Sequence, residues 1–257
     1  MEENKPTVQS IDRAIAILDF LYRENREVSI SEVSAGTGLF GSTVHRILNT
    51  LKQGGFVYQN DSNSKYWLGL KFYSYGDAVK ANLPIVSMVE PIADEIAKKY
   101  RETVYMTVPS YESPHLAQQA HILKVSHSSF ILRSSPSVGA ISPCHVSATG
   151  KCLMAYYPEK LLEEYSKTQL PALTPNSVTD WDMLRKELEK IRIHGYAVES
   201  EEEELGLTCV AVPILDKNQC VVAAVSLSGP TARIFSFPIK EILRDLRRIS
   251  EKVNSSF

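Results

Sequence analysis

The stretch GLFGSTVHRILNTLKQGGFV, residues 38–57, constrains the fold of this chain more than any other segment. Gly38 and Gly41 indicate a turn, and a hydroxyl at Ser42 or Thr43 is suited to cap a helix that begins there. Apolar residues then recur at spacings of three and four, which predicts a helix with one buried stripe. These residues are Val44, Ile47, Leu48 and Leu51. A double glycine ends the helix.

The opposite face of this helix carries groups that suit nucleic-acid recognition. Hydroxyl, imidazole, guanidinium and amide groups can hydrogen-bond to base edges and phosphates. No acidic residue lies between Leu39 and Asn60, although the first 72 residues hold eight basic and eight acidic side chains. The predicted DNA-binding residues are Arg13, Ser42, Thr43, His45, Arg46, Asn49, Lys52 and Lys65.

The flanking segments predict a winged helix-turn-helix. Helical periodicity covers residues 9–24, and Ser29 with Glu32 forms a capping box at the start of a second helix. Beyond the third helix, two β-rich runs around the turn cluster at 60–64 predict a hairpin, the wing, in which Lys65 would meet a phosphate backbone. This order of elements favours DNA binding, while a small helical domain without that role stays the alternative.

Length and composition set wider limits. A chain of 257 residues predicts two domains, and its hydrophobic (44%) and charged (23%) fractions are typical of soluble globular proteins. With a net charge of −2, any nucleic-acid site must be local. We expect no membrane partner and a cytoplasmic location, because no apolar run is long enough to span a bilayer and the start, MEENKPTVQS, is acidic and polar. The four cysteines are expected as free thiols.

The segments VQSIDRAIAILDFL, ISEVSAGTGLFGSTVHRILNTLKQGGFV and KYWLGLKFYSYGDA resemble the winged helix-turn-helix domain of the IclR family of bacterial transcriptional regulators. The resemblance extends over nearly the whole chain. It implies an α+β protein with a winged helix-turn-helix DNA-binding domain over 1–72, a helical linker and dimerisation segment over 73–102, and a GAF-like effector-binding domain with an antiparallel-rich sheet over 103–257. The implied partners are double-stranded operator DNA, a small carboxylic-acid effector and further copies of the chain, as a homodimer or a dimer-of-dimers tetramer.

Hydrophobic patterning of the remaining chain predicts alternating strands and helices. Strands are predicted at 103–108, 116–125, 129–133, 196–199, 207–215 and 220–227. Helices are predicted at 70–80, 85–100, 147–156, 158–166, 180–193 and 238–253, with a kink or restart allowed at Pro91. This order favours an antiparallel-rich sheet covered by helices.

Three segments carry candidate ligand-binding chemistry. The run PCHVSATGK at 143–151 opens a helix with small residues, and the N–H groups of a helix start favour an anion. Five glutamates lie within residues 199–204, and Ser226 and Ser228 should share one face of a strand. The resemblance implies a pocket, and with the adjacent Gly150 its predicted residues are Ala148, Thr149, Gly150, Glu199, Leu207, Cys209, Ser226 and Ser228. Family members often carry Gly and Asp at the positions of Ala148 and Glu199, so the effector class is not inherited.

Plain structural roles stay open for these residues, since small-residue runs often start helices, glutamate runs are usually solvated and Cys209 can be a buried apolar residue. Cys144 and His145 could join Glu199 and Cys209 around zinc or act as a nucleophilic pair, but neither the spacing nor a motif supports this. SATGK also departs from the phosphate-binding loop. We expect no cofactor, metal or catalysis. The alternative function is a small-molecule sensor or enzyme whose N-terminal domain mediates protein contacts.

Overall fold

The computed structural model describes residues 7–110 and 119–254, and its contacts divide the chain into two compact units, Met1–Leu83 and Pro84–Phe257. In the first unit three helices precede a two-stranded antiparallel hairpin and a fourth helix. These elements are α1 (Gln9–Glu24), α2 (Ile30–Thr37), α3 (Gly41–Gln53), β1 (Val57–Gln59), β2 (Tyr66–Leu68) and α4 (Lys71–Ala81). The predicted winged helix-turn-helix is confirmed.

Local chemistry sets the limits of α2. The backbone N–H of Ser29 donates to Glu32 Oε2 at 2.8 Å, and the N–H of Glu32 donates to Ser29 Oγ at 3.3 Å, which confirms the capping box. Gly38 ends the helix with a φ of 70°, a left-handed conformation that strains other residues. The turn into α3 therefore begins where the sequence places it.

The hydroxyl cap predicted for α3 is wrong. The N-cap residue is Phe40, whose side chain makes no capping hydrogen bond. The helix begins at Gly41, so Ser42 and Thr43 already lie within its first turn, beyond the position from which a hydroxyl caps a helix.

The core of the first unit is formed by residues of α1, α2 and α3 and one side of the hairpin, whereas α4 has no buried residue. Its fully buried members are Ile17, Leu21, Val28, Val33, Val44 and Leu48, joined by Val57 and Tyr66. The helix predicted over 9–24 is confirmed, but Ile11 and Ile15 of its apolar stripe are 56% and 50% exposed. Burial on α1 instead centres on Ile17 and Leu21, so one apolar edge of this helix lies outside the core.

The second unit is built around one six-stranded sheet in the order β5-β4-β3-β8-β7-β6, with every neighbouring pair antiparallel. Its elements are α5 (Pro84–Tyr100), β3 (Thr103–Pro109), β4 (Gln119–Ser126), β5 (Ile141–Pro143), α6 (Ala148–Met154), α7 (Glu159–Tyr165), α8 (Trp181–His194), β6 (Ala197–Ser200), β7 (Leu207–Leu215), β8 (Val221–Pro230), α9 (Thr231–Ile234) and α10 (Ile239–Asn254). The predicted α+β class and antiparallel sheet are confirmed.

Helices cover both faces of this sheet. Cys209 and Ala211 of β7 share an apolar cluster with Ala148 and Cys152, so α6 packs on their face. Successive side chains of a strand point to opposite faces. The buried valines that alternate with Cys209 and Ala211 therefore face α5 and α10, which pack on each other and on the sheet.

Several predicted details of the second unit differ. Residues 129–133 do not form a strand, and in this segment the ring of Phe130 lies against the guanidinium groups of Arg101 and Arg233, 4.1 and 4.4 Å from its centroid. The short strand β5 and the single turn α9 were not predicted, and residues 116–118 of one predicted strand lie outside the described residues. The helix α5 runs through Pro91 without a break.

The segment 73–102 is divided between the units. Most of α4 comes from its first part and belongs to the first unit, whereas α5 belongs to the second.

Candidate DNA interface and effector site

The exposed face of α3 is the candidate DNA interface. His45 and Arg46 lie three and four residues after Ser42, Asn49 lies four and three residues after them, and all four are exposed. None of these four side chains makes a hydrogen bond or ion pair with the described residues, 7–110 and 119–254. Lys52 is also exposed, but its Nζ donates to a glutamine of the wing at 2.9 Å. The four unpaired groups can bind a partner without first breaking contacts within the protein.

Arg13 belongs to α1, and Thr43 of α3 is half-buried, unlike the exposed row. A cleft of about 700 Å³ separates α1 from α3, and its lining includes Arg13, Thr43, Arg46 and Asn49 together with apolar residues of both helices. The structure therefore brings Arg13, which is distant in sequence, together with three of the predicted DNA-binding residues. Thr43 is only half-buried, so its hydroxyl opens into this cleft.

The tip of the wing is organised by a carboxylate that the sequence interpretation missed. Glu27 accepts hydrogen bonds from Asn63 Nδ2 at 2.8 Å, from Tyr58 Oη at 2.5 Å and from Asn60 Nδ2 at 3.0 Å. These hydrogen bonds hold the pKa of Glu27 below its usual value. Lys65 is half-buried and lies near this carboxylate, so its charge is partly balanced within the protein.

The predicted effector residues of the second unit gather on one face of the sheet. Strand register places Glu199 of β6 beside Cys209 of β7, and Cys209 beside Ser228 of β8. In the next row, Ser226 lies beside Tyr105 of β3. Both serines share this face, as their spacing predicted, and all five residues are buried. Tyr105 was not predicted, although it alternates with threonines along its strand.

Polar contacts link Cys209 to its neighbours on this face of the sheet. The Cys209 thiol donates to the Ser228 hydroxyl with an Sγ–Oγ distance of 3.0 Å, and Tyr105 Oη lies 3.7 Å from the same sulfur. Burial raises the pKa of the Cys209 thiol and of the Tyr105 hydroxyl well above their usual values, so both groups stay protonated. A neutral thiol is a poor nucleophile and metal ligand, and Cys209 is suited to line a pocket rather than to react.

Glu199 is buried, and among the described residues only one of its two carboxylate oxygens accepts hydrogen bonds. Its Oε1 accepts the backbone N–H of Glu202 at 2.5 Å and of Glu203 at 3.3 Å. Its Oε2 has no hydrogen-bond partner among the described residues. Burial raises the pKa of Glu199 to about 7, against the lowering effect of the two N–H groups. A buried polar atom without a partner costs about 1–3 kcal/mol, so a ligand that donates to Oε2 would recover part of that cost.

The first turn of α6 combines one orphaned hydroxyl with tight packing. Ala148, Thr149 and Gly150 are all buried, and Thr149 Oγ1 has no hydrogen-bond partner in the described part of the chain. The N–H of Gly150 donates to Ser147 Oγ at 3.2 Å, and a Cβ at Gly150 would lie 2.3 Å from the Cα of Cys144. Gly150 is therefore explained by close packing within the protein, and Ser147 rather than an anion caps the helix.

Part of the glutamate run is bound to the protein: the carboxylates of Glu199, Glu202 and Glu203 accept hydrogen bonds within it, whereas Glu204 is exposed. Lys151 Nζ lies 2.5 Å from Glu202 Oε1 and 2.7 Å from Glu187 Oε2, and Lys151 is 2% exposed. Ser142 of β5 donates to Glu203 Oε1 at 2.7 Å. The loop between β6 and β7 is thus attached to α6, to α8 and to the strand at the far edge of the sheet. Leu207, which follows it, is half-buried and packs against the α6 cluster.

The described residues offer no support for the zinc alternative. Among residues 7–110 and 119–254, no group of three or more His, Cys, Asp or Glu side chains could hold a metal ion. His145 Nε2 instead lies 2.9 Å from the carbonyl oxygen of Pro171. Within the same residues, every helix is too short or too polar to cross a membrane.

Comparison with known proteins decides the family. Residues 78–255 match the family described as bacterial transcriptional regulator IclR C-terminal, and residues 10–61 match the IclR helix-turn-helix domain. The chain belongs to the IclR family of bacterial transcriptional regulators.

Individual IclR-family members agree with this assignment. The chain is 33% identical over 233 residues to the HTH-type transcriptional regulator XynR of Escherichia coli (strain K12), covering 89% of each. It is 34% identical over 230 residues to the HTH-type transcriptional repressor AllR of Salmonella typhi, covering 88% of this chain and 81% of AllR.

The fold also matches a solved structure. An IclR homolog from Microbacterium hydrocarbonoxydans, complexed with 4-hydroxybenzoate, aligns with a TM-score of 0.82 at 21% identity, over 96% of this chain and 98% of that one. XynR and AllR are transcriptional regulators, not enzymes, and so is this IclR-family protein.

Proposed function

We propose that this IclR-family protein is a cytoplasmic regulator that binds operator DNA as a dimer through α3 and the wing, and that a small organic acid in the second unit controls this binding. The observation that carries the proposal is the row of exposed, unpaired polar side chains on α3. Such groups read base edges in the major groove, where guanidinium favours guanine and amide favours adenine. Ser42, His45, Arg46 and Asn49 form this row.

The uncovered apolar residues of the first unit support dimerisation. On α1, Val8, Ile11 and Ile15 are 59%, 56% and 50% exposed at spacings of three and four, and on α4 Tyr73 and Val79 are also exposed. A second copy would remove this apolar surface from water. Two copies related by a two-fold axis would also place two α3 helices on half-sites about 34 Å apart, or a multiple of that distance. A dimer of dimers is the larger assembly to be tested.

The orphaned polar atoms of the second unit support effector binding. Glu199 Oε2 and Thr149 Oγ1 are buried without partners in the described chain, beside the polar row that contains Cys209 and Ser228. A small acid that also carries a hydroxyl could donate to Glu199 while its carboxylate accepts from other hydroxyls. The 4-hydroxybenzoate in the complex of the Microbacterium hydrocarbonoxydans homolog is a ligand of this chemical kind.

Control of DNA binding requires that the effector prefer one arrangement of the protein. A ligand with equal affinity for two arrangements shifts neither. Because Glu199, Cys209 and Ser228 are fully buried, an effector reaches them only after part of the protein has moved. We propose that this part is the loop between β6 and β7, the glutamate loop, whose backbone N–H groups bind Glu199. We propose that this movement is passed to the first unit through the linker segment 73–102.

The DNA part of the proposal is tested by selecting a binding site from random-sequence duplexes with the full-length protein. Gel-shift titration should then show that Arg46→Ala weakens specific binding about ten-fold or more, since a bidentate base contact is worth about 1–3 kcal/mol. Arg185→Ala, in the second unit, is the matched control and should bind normally. Binding should also weaken steeply with salt. Unchanged specific affinity in Arg46→Ala would refute the role of α3.

The effector part is tested by thermal-shift screening of small hydroxy and keto acids, 4-hydroxybenzoate included, because a bound ligand raises apparent stability. With the best ligand, Ser226→Ala and Glu199→Ala should abolish ligand-induced release of DNA and leave DNA affinity intact. Ser87→Ala, an exposed serine of α5, is the control and should respond normally. The pocket assignment fails if both pocket variants respond as the wild type does.

A further inference from the structure

The turn ahead of α3 displays an aromatic ring that the protein does not cover. Phe40 is 85% exposed although it is the N-cap residue of a helix, a position that favours a side chain with a hydrogen-bond acceptor. Its carbonyl oxygen accepts the N–H groups of Thr43 at 2.9 Å and Val44 at 3.0 Å, which a residue of any type could do. The phenyl ring therefore contributes little to the fold and exposes a large apolar area.

The position of Phe40 places this ring at the end of α3 that enters DNA. In helix-turn-helix proteins the N-terminal residues of the third helix contact base edges in the major groove. The next residue, Gly41, has no side chain, and a Cβ there would meet only Ile30, at 3.9 Å. Nothing on Gly41 therefore screens the ring from a duplex that approaches Ser42 and the following turn.

The exposure of Phe40 is separate from the apolar surface assigned to the second copy of the chain. That surface lies on α1 and α4, and Phe40 belongs to neither helix and does not line the cleft between α1 and α3. Phe40 instead belongs to the segment from Leu39 to Asn60, which holds no acidic residue and includes the unpaired polar row of α3.

We infer that Phe40 is a specificity-determining DNA contact whose ring packs against the C5-methyl group of a thymine in the major groove. This inference rests on the proposed reading of DNA by α3. A phenyl ring can neither hydrogen-bond a phosphate nor neutralise it, so its gain on binding must come from apolar contact. The thymine methyl is the apolar group that base pairs present in the major groove, and phenylalanine is one of the side chains that contact it.

The test uses uracil substitution in the duplex that the full-length protein selects from random sequence. Deoxyuridine in place of thymidine removes the methyl group and leaves every hydrogen-bonding group in place. Wild-type affinity should fall roughly three- to ten-fold at one thymine of each half-site, as expected for loss of a buried methyl contact. Phe40→Ala should lose a similar factor on the thymine duplex and be indifferent to uracil at that position. Phe40→Leu should retain part of the discrimination.

Two controls separate this contact from other effects. Phe235→Ala removes a half-exposed ring from the second unit and should keep the full response to uracil. The melting temperature of Phe40→Ala should match that of the wild type, because the ring is exposed. The inference is overturned if no thymine responds to uracil, or if Phe40→Ala weakens binding equally on both duplexes. Failure to select any specific duplex would instead refute the proposed function, and this inference with it.

Discussion

The polar side chains predicted to bind a partner are exposed in the first unit and buried in the second. On α3, His45, Arg46 and their neighbours are exposed and unpaired among the described residues. In the second unit, Glu199, Cys209 and Ser228 are buried, and apart from Glu199 Oε2 their polar groups bond to one another or to the backbone. The first set is ready for a partner, whereas the second must exchange internal contacts for ligand contacts. Substitutions should therefore affect mainly binding in the first unit and mainly stability in the second.

The largest loss of stability is expected at Lys151. Replacement by methionine removes the cation beside Glu202 and Glu187 and leaves the nearly buried Glu202 unpaired, which should lower the free energy of unfolding by about 3–5 kcal/mol. Arg185→Ala breaks a partly exposed pair with Glu159 and should cost no more than about 1 kcal/mol. Urea denaturation measures both, and equal losses would show that the buried polar groups of the second unit depend no more on their internal contacts than exposed groups do.

Glu199 should make stability depend on pH. Its pKa of about 7 in the folded protein lies above the usual 4.5, so the folded state holds this proton more tightly than the unfolded state does. The resulting stability is present below about pH 4.5 and is lost as the pH rises to about 7, by up to about 3 kcal/mol. Glu199→Gln cannot ionise, so its free energy of unfolding should fall less between about pH 5 and about pH 8. Parallel profiles for variant and wild type would show that the carboxyl group titrates normally.

A smaller loss of stability is expected from substitution of Gly150. Its size distinguishes a helix start that is packed against the protein from one that is open to a ligand. An added Cβ would collide with Cys144, so Gly150→Ala should cost about 1–3 kcal/mol by overpacking. At Gly76 in α4 an added Cβ would meet nothing within 4 Å, and Gly76→Ala should be neutral or stabilise by about 0.5–1 kcal/mol. Thermal unfolding compares the two variants, and a tolerated alanine at 150 would reopen the possibility of a ligand surface there.

The smallest effect on stability is expected on α3. Arg46→Ala and His45→Ala remove exposed side chains without described partners, so each should stay within about 0.5 kcal/mol of the wild type in urea denaturation. The same Arg46→Ala protein should lose specific DNA binding. A large loss of stability in either variant would show that the polar face of α3 serves the fold.

Much of the first unit could be predicted from sequence because its signals are local. The capping box at Ser29, the left-handed Gly38 and the apolar spacing on α3 each act within a few residues. The prediction of the α3 cap was wrong because a hydroxyl residue inside the first turn cannot be distinguished from an N-cap residue by sequence until the first helical residue is known. The prediction of a strand at 129–133 was wrong, and the contacts of Phe130 with Arg101 and Arg233 come from parts of the chain that a local pattern does not include.

The effector residues were predicted by resemblance, but their arrangement was not. Spacing could place Ser226 and Ser228 on one face, yet it could not place Glu199 beside Cys209, because strand order and register are set by the whole sheet. Sequence patterns could not reveal the partners of Lys151 or the unpaired Oε2 of Glu199 either, since each depends on contacts between elements far apart in sequence.

The contacts that hold the glutamate loop should also limit the rates at which an effector binds and leaves. Ser142 and Lys151 hold this loop through Glu203 and Glu202, and two further hydroxyls donate to its backbone carbonyls. The proposed displacement of the loop therefore requires several polar contacts to open together. We expect ligand association to be far slower than diffusion and dissociation to be slow as well, which stopped-flow mixing would measure. A regulator with such a loop would average metabolite concentration over the opening time and ignore brief fluctuations.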